Sequence, residues 1–284
     1  MSLLNKVTTG PSRTGVRIVI AGQEKMGKTT TACQAPLPLL IPLEVGFANI
    51  AVAKTPMVTD FTSFKTLLAD IKTMSQHYLA NNQPLPFRSL VFDSVTALER
   101  LIHEDVMKRD PSYRADSKKM TTMESAHGGY GRAYSMANTD FNEVLQLLDD
   151  LAVSYGLNII FTAHVFAAKL IDPSAGQFDS WDILLHSPKN EKVYGKRELL
   201  TQWADVIGFI YEPIVVSAAD GLSKGASLNK GRVIGLSRTP AYVAGNRFGV
   251  TGEIQLPPPP NSAWNCIAKS IYDVTQGGTD LYTR

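Results

Sequence analysis

The fold is decided by residues 16–34, which read Val-Arg-Ile-Val-Ile-Ala-Gly-Gln-Glu-Lys-Met-Gly-Lys-Thr-Thr-Thr-Ala-Cys-Gln. The apolar run 16–21 predicts a short buried strand, and residues 29–34 can open a helix. Between them, residues 22–29 contain two glycines separated by four residues, and the second glycine is followed by Lys and Thr. A strand, a glycine loop and a helix start in this order suit phosphate groups, because the N–H groups of the loop can curl around them.

This loop predicts a nucleotide site with ATP and Mg²⁺ as cofactors. We expect Lys28 to reach the β- and γ-phosphates and the Thr29 hydroxyl to ligate Mg²⁺. The alternative, a chance glycine turn before a helix, does not account for the strand that precedes it. The expected nucleotide contacts are the loop residues Gly22, Gln23, Glu24, Lys25, Met26, Gly27, Lys28, Thr29 and Thr30.

Composition limits the classes of protein that the chain can represent. Its 284 residues suffice for one large domain or two small ones, and 44% hydrophobic with 19% charged residues is an ordinary globular balance. The net charge of +2 excludes a polycation, so any contact with nucleic acid needs a local basic patch. Cys33 and Cys266 lack metal-ligand spacing, and buried thiols are expected.

The sequence contains no segment that predicts membrane insertion. The N-terminus has no long apolar run, and no stretch approaches the roughly 18 uninterrupted apolar residues of a membrane helix. We therefore expect a cytoplasmic protein without a membrane partner.

Apolar strand-like runs alternate with amphipathic helices along most of the chain. The predicted strands are 16–21, 39–44, 89–94, 158–164 and 206–211. The predicted helices lie near 64–78, 95–109, 141–155 and 264–274, with loops at 110–129 and 172–197. This alternation predicts an α/β fold with a mostly parallel central sheet flanked by helices.

The last third of the chain has a different pattern. Strand-like runs near 232–238, 241–246 and 250–256 follow one another through short turns, which predicts a C-terminal antiparallel β extension. The organisation expected is a flexible lead-in at 1–15, one domain at 16–256, and a Pro-rich turn, short helix and tail at 257–284.

Three side chains follow predicted strands at the end where ligands bind in such sheets. Asp93, after Leu-Val-Phe, would hold the Mg²⁺ shell beside Thr29, usually through water. Glu44 would position or deprotonate the attacking water, and an exposed acid at a strand end is the equally weighted alternative. His164 could hydrogen-bond a γ-phosphate, against the commoner alternative of a satisfied core histidine.

Basic residues cluster in several predicted loops and hairpins. Arg247 could stabilise transition-state charge in a neighbouring subunit, or be a solvated hairpin arginine. Loops near Tyr130 and Trp181 could track a phosphate backbone and stack bases, or could be merely solvated. The loop residues concerned are Lys118, Lys119, Lys189, Lys192, Lys196 and Arg197.

These motifs, in their order along the chain, resemble the RecA-like ATPase core over roughly residues 16–256. The motifs are the glycine loop, a strand ending in Glu44, Leu-Val-Phe-Asp-Ser, a strand ending in Thr-Ala-His, and a hairpin ending in Gly-Asn-Arg. Residues 126–132 resemble the segment after the first DNA loop of RecA, which adds Arg132 to the expected DNA contacts. Residues 195–200 resemble the end of the second DNA loop. Within this class, the chain is most similar to the Sak-type phage ATPases that act in single-strand annealing and recombination.

The resemblance implies a RecA-like P-loop NTPase fold and a role for each matching residue. Glu44 matches the catalytic glutamate, and His164 stands where RecA-like proteins often carry a glutamine that senses the γ-phosphate. Arg247 matches the second cation of a basic-Asn-basic finger, whose first cation is replaced by Gly245. The resemblance also implies homo-oligomers, ring or filament, with the ATP site at the subunit interface.

The function expected from this class is an Mg²⁺-dependent ATPase that binds single-stranded DNA and promotes annealing or homologous recombination. A single-strand-binding protein is an expected further partner, and the host cytoplasm is the expected location if a phage encodes the chain. Two alternatives stay open: a hexameric helicase-like DNA motor, and a switch in which the nucleotide controls binding to a protein partner.

Overall fold

A computed structural model describes residues 14–115, 121–174, 176–188, 194–219, 222–227, 231–258, 261–275 and 281. The strands of the main sheet are β1 (Arg17–Gly22), β2 (Pro38–Pro42), β3 (Ala53–Lys54), β4 (Ser89–Asp93), β5 (Asn158–Ala163), β8 (Val206–Tyr211), β11 (Val233–Gly235), β12 (Gly245–Asn246) and β13 (Glu253–Gln255). Two hairpins stand apart from it, β6 (Val165–Asp172) with β7 (Gly176–Ile183), and β9 (Ile214–Ala219) with β10 (Leu222–Ser227). The helices are α1 (Lys28–Ala32), α2 (Phe61–Ala80), α3 (Val95–Lys108), α4 (Arg132–Tyr155), α5 (Lys196–Trp203) and α6 (Ala263–Thr275).

The main sheet is parallel at its centre and antiparallel at one edge. Its order is β13-β11-β8-β1-β5-β4-β2-β3, with β12 also paired to β8. β1 lies between β5 and β8, and both pairings are parallel. β11 and β12 run antiparallel to β8, and β13 runs antiparallel to β11. The predicted α/β class with its antiparallel extension is confirmed, and the extension continues the edge of the central sheet.

Side chains of the central strands alternate between two separate cores. Val19 and Ala21 face the layer formed by α2, α3, α4 and α5, whereas Ile18 and Ile20 face the layer that contains α1 and α6. Trp264 of α6, which is fully buried, anchors the second layer and donates from its indole N–H to the Leu281 carbonyl at 2.7 Å. Burial on both faces explains why these strands read as continuous apolar runs rather than as alternating ones.

Several element ends follow from local side-chain chemistry. Asp60 caps α2 by accepting from the Ser63 N–H at 2.8 Å, and Ser94 caps α3 by accepting from the Ala97 N–H at 3.2 Å. β2 tolerates prolines because they occupy its first and last positions, where a missing N–H removes no interior bond of the ladder.

The structure corrects two predicted elements and adds a third. Residues 172–197 are predicted as a loop but contain β7 and the start of α5. The prediction is wrong because the turn residues near 172–176 obscure the alternation of apolar and polar residues in the hairpin. The β9–β10 hairpin was not predicted. α4 begins at Arg132 rather than near 141, because the small buried residues Ala133 and Ala137 carry its apolar stripe. Most of the predicted lead-in, residues 1–13, lies outside the described residues.

None of the helices in the described ranges combines the length and apolar character that crossing a bilayer requires.

Candidate nucleotide-binding site

The phosphate-binding loop connects β1 to α1 and depends on glycine at two positions. A Cβ on Gly22 would lie 2.5 Å from the Ile210 carbonyl oxygen, because β8 runs directly alongside the loop. Gly27 has φ +82°, and a Cβ there would lie 1.8 Å from Nη1 of Arg232. Any larger side chain would therefore displace the backbone of the loop or the residues packed behind it.

Lys28 points into the loop that precedes it. Its side chain is buried, and its Nζ donates to the carbonyl oxygens of Gly22 at 2.9 Å and Gln23 at 2.7 Å. Burial lowers the pKa of the ammonium, an effect that the nearby carboxylates of Asp93 and Glu44 oppose. An enclosed cation with few water partners is well suited to bind phosphate oxygens.

Asp93, at the end of β4, accepts hydrogen bonds from two hydroxyl groups. Its Oδ2 accepts from Thr29 Oγ1 at 3.0 Å, and its Oδ1 accepts from Thr162 Oγ1 on β5. Burial raises the pKa of Asp93, and the two hydroxyl donors oppose this rise. Thr162 is a site residue that the sequence does not predict, and its one signal is a hydroxyl group inside an apolar strand.

Glu44 and His164 form a pair beside this cluster. Glu44 Oε1 lies 2.8 Å from Nε2 of His164, and Arg100 Nη2 is 3.8 Å from the other carboxylate oxygen. Burial alone would raise the pKa of Glu44, but the hydrogen bonds from His164 and Ser94 outweigh it and leave the pKa below its ordinary value. Glu44 is therefore an ionised carboxylate at neutral pH.

The residues at this end of the sheet fit a magnesium nucleotide. The Thr29 hydroxyl and the Asp93 carboxylate are adjacent oxygen donors, which is the type of ligand that Mg²⁺ prefers. Lys28 and the loop N–H groups would hold the phosphates, and a bound Mg²⁺ would neutralise charge that develops on them. Gln23, Glu24, Lys25 and Thr30 are exposed at the rim of the loop.

The fold and this site together define a P-loop nucleotide-binding domain. A family model described as an AAA domain, AAA_24, matches residues 14–248. The chain belongs to this family. Members of the family are indicated to be ATPase domains that bind nucleotide, typically with Mg²⁺. No curated protein is similar enough to the chain to count as a match.

Removing His164 is expected to change the pH dependence of ATP hydrolysis. Burial raises the pKa of Glu44, and the hydrogen bond from the His164 imidazole lowers it. In His164→Ala this hydrogen bond is lost, so the pKa of Glu44 should rise. If ionised Glu44 is required for turnover, the acidic limb of the pH–kcat profile should move to higher pH, because the carboxylate then protonates earlier as pH falls. An acidic limb that stays in place or moves to lower pH would contradict this coupling.

Arg247 lies at the opposite end of the sheet from the loop of its own chain. It follows β12, and its N–H donates to the Asp205 carbonyl at the start of β8, whereas Gly22 pairs with Ile210 near the end of that strand. Five residues of strand separate these points, roughly 16 Å. Arg247 Nη1 is 3.2 Å from Asp205, and its side chain is 54% exposed.

Six of the seven predicted DNA contacts fall into three groups. Lys118, Lys119, Lys189 and Lys192 lie outside the described residues. Arg132 is exposed at the start of α4. Arg197 is half-buried and paired with Asp182 at 2.9 Å, so its guanidinium already has an acidic partner.

Lys196 is wrongly predicted as a DNA contact. Its side chain is 0% exposed, with Nζ 3.4 Å from Glu99 Oε1 and 3.2 Å from Asn138 Oδ1. Burial lowers the pKa of Lys196 and raises that of Glu99. A lysine enclosed between α3 and α4 cannot reach a DNA phosphate, and the position of a basic residue in sequence does not reveal such burial.

Lys196→Ala is expected to destabilise the fold by about 3–5 kcal/mol, because it leaves the buried Glu99 without its cation. Urea unfolding measures this loss, and Lys169→Ala on β6 is a matched control. A variant of unchanged stability with weakened DNA binding would instead reinstate the predicted contact.

Proposed function

We propose that this chain is a RecA-type ATPase that binds single-stranded DNA and promotes annealing or recombination. Three features of the described residues support the parts of this proposal that go beyond an ATPase domain. These are an exposed aromatic turn beside Arg132, a direct chain connection from His164 to a hairpin, and an arginine that faces away from its own nucleotide site.

The aromatic turn is the observation that carries the DNA proposal. Tyr130 is 99% exposed, and residues 127–131 all have positive φ, between +55° and +84°. Asp110 and Val106 hold the turn, since Asp110 accepts from the His127 N–H at 2.5 Å and the His127 ring contacts the Val106 carbonyl at 2.8 Å. A non-glycine residue in this backbone region is costly, and strained residues of this kind cluster at functional sites. An exposed ring followed by Arg132 suits a stacked base and its phosphate.

The connection from His164 supports coupling between the nucleotide and the DNA-binding surface. β6 begins at the next residue, and the Leu184 N–H after β7 donates to the His164 carbonyl at 2.8 Å. Both ends of this hairpin therefore meet at His164. A shift of the imidazole upon γ-phosphate binding would move the hairpin directly, without an intervening element.

The position of Arg247 supports an oligomer with shared sites. Because it lies far from its own loop and is half-exposed, the phosphate that it could stabilise belongs to a neighbouring copy. We propose a homo-oligomer, ring or filament, in which Arg247 completes the site of the next subunit.

The first test is ATP hydrolysis with and without single-stranded DNA, using Lys28→Ala as the blank. We expect DNA to stimulate the wild-type protein. Salt-sensitive binding is expected from phosphate contacts, and Arg132→Ala should lower the salt slope by about 1. Directional, ATP-driven unwinding would favour the motor alternative, and absence of DNA binding at low salt would favour the protein-partner switch.

Tyr130→Ala is expected to weaken single-stranded DNA binding by about 10-fold, because one stacked base contributes roughly 1–3 kcal/mol. Hydrolysis without DNA should be unchanged, since the turn does not contact the phosphate-binding loop. Tyr272→Ala, on α6 of the other layer, is the matched control. Equal DNA affinities for the two variants would exclude Tyr130 as a stacking platform.

A further inference from the structure

Arg232 contacts the backbone of the phosphate-binding loop from behind. It directly precedes β11, whose Val233 pairs with Tyr211 at the end of β8 beside the loop. Nη1 of Arg232 donates to the Met26 carbonyl at 2.9 Å. A Cβ on Gly27 would come within 1.8 Å of the same nitrogen, so no other side chain separates the guanidinium from the loop.

The edge of the sheet fixes Arg232 in this position. Its carbonyl accepts from the Leu256 N–H at 2.9 Å and from Nε2 of Gln255 at 3.0 Å. The antiparallel edge strands β11 and β13 therefore present the guanidinium to the loop. This gives the C-terminal extension a direct contact with the nucleotide site.

The charge of Arg232 is available to a ligand on the far side of the loop. Within the described ranges, no carboxylate forms an ion pair with this guanidinium. The carbonyl of Met26 and the N–H of Gly27 belong to one peptide group, and in a trans peptide these two groups point in opposite directions. A cation bonded to the carbonyl polarises the peptide and strengthens the N–H as a donor on the other side.

We propose that Arg232 is a positioning residue that holds the phosphate-binding loop and strengthens the Gly27 N–H as a donor to nucleoside di- and triphosphates. This role depends on the proposed nucleotide-binding function and adds to it a residue that positions the loop. Arg232 acts through the loop and does not touch the reacting phosphate. It should therefore support ADP and ATP equally, and its loss should weaken binding without slowing the chemical step.

The test compares equilibrium dissociation constants for Mg·ADP and Mg·ATP in wild type, Arg232→Ala, Arg232→Lys and Arg88→Ala. Arg88 is a matched control because it precedes β4 at the opposite end of the sheet. We expect Arg232→Ala to weaken both nucleotides by about ten-fold, as for loss of one charge-assisted hydrogen bond. The kcat at saturating ATP should stay within about two-fold of wild type, since uniform binding affects KM alone. Arg232→Lys should recover part of the affinity, because an ammonium can still donate to the Met26 carbonyl.

Three results would overturn this inference. Equal affinities for Arg232→Ala and wild type would remove the positioning role. A lowered unfolding midpoint with unchanged affinity of the folded protein would make the residue purely structural. A lower kcat with unchanged affinities would place the guanidinium on the reacting phosphate. Failure of the wild-type protein to bind either nucleotide would instead refute the proposed function itself, so the two failures are distinguishable.

Discussion

Glu44→Gln is expected to lower the kcat for ATP hydrolysis by about 10²–10⁴-fold while nucleotide binding is retained. The carboxylate is held ionised beside His164 at 2.8 Å and close to the end of β4 that carries Asp93. Glutamine has the same shape and can still hydrogen-bond the imidazole, but it cannot accept a proton from water. Single-turnover hydrolysis and equilibrium ATP binding, measured on the same preparation, separate the two effects.

The matched control is Glu104→Gln on α3, where an exposed carboxylate pairs, among the residues that the structure describes, only with Lys108 at 2.7 Å. Its turnover should equal that of wild type. If Glu44→Gln lost binding and turnover to the same extent, Glu44 would be part of the nucleotide contact and not the group that prepares water. Unchanged turnover would transfer that role to another residue.

Lys28→Ala is expected to lower kcat/KM by about 10²–10³-fold or more, because it removes the buried cation that we expect to bind the phosphates. The stability of the protein without nucleotide should change little. The ammonium now donates to two loop carbonyls but is also desolvated, and these contributions oppose each other. ATP binding by calorimetry, together with urea unfolding in the absence of nucleotide, measures both quantities.

Lys65→Ala on the exposed side of α2 serves as the control for removal of one positive charge. Retained ATP affinity in Lys28→Ala would contradict the assignment of the loop as the phosphate site. A large loss of stability without nucleotide would show that the lysine acts mainly as a structural brace.

The central strands and the phosphate-binding loop are well predicted from the sequence, because each of them is specified by residues that are neighbours in the chain. The strand at 16–21 and the glycine loop are contiguous, and the strand that ends at Asp93 is an uninterrupted apolar run. The predicted class and the mostly parallel sheet are confirmed. The structure also brings Lys28, Thr29, Asp93, Glu44 and His164 to one end of the sheet, while their individual roles stay predictions.

The features that the sequence does not predict depend on contacts between distant residues. Arg232 lies 206 positions from Met26, and nothing in its neighbouring residues distinguishes it from an exposed arginine. Lys196 is buried only because α3 and α4 enclose it. The hairpin of β6 and β7 was missed because its polar, turn-rich centre reads as a loop.

The environment of Asp205 determines the free-energy cost of breaking its ion pair with Arg247. Asp205 also accepts from Nη2 of Arg17 at 2.7 Å and from Nε of the same guanidinium at 3.0 Å. If Arg247 turned toward a neighbouring copy, as we propose, Asp205 would keep a two-point ionic partner, and no unpaired charge would be left at the start of β8. Arg247 is a second partner of this carboxylate, and its release would also break the hydrogen bond that its Nη2 donates to the Gln202 carbonyl. Water can replace both bonds at this exposed side chain, so the release should cost little free energy.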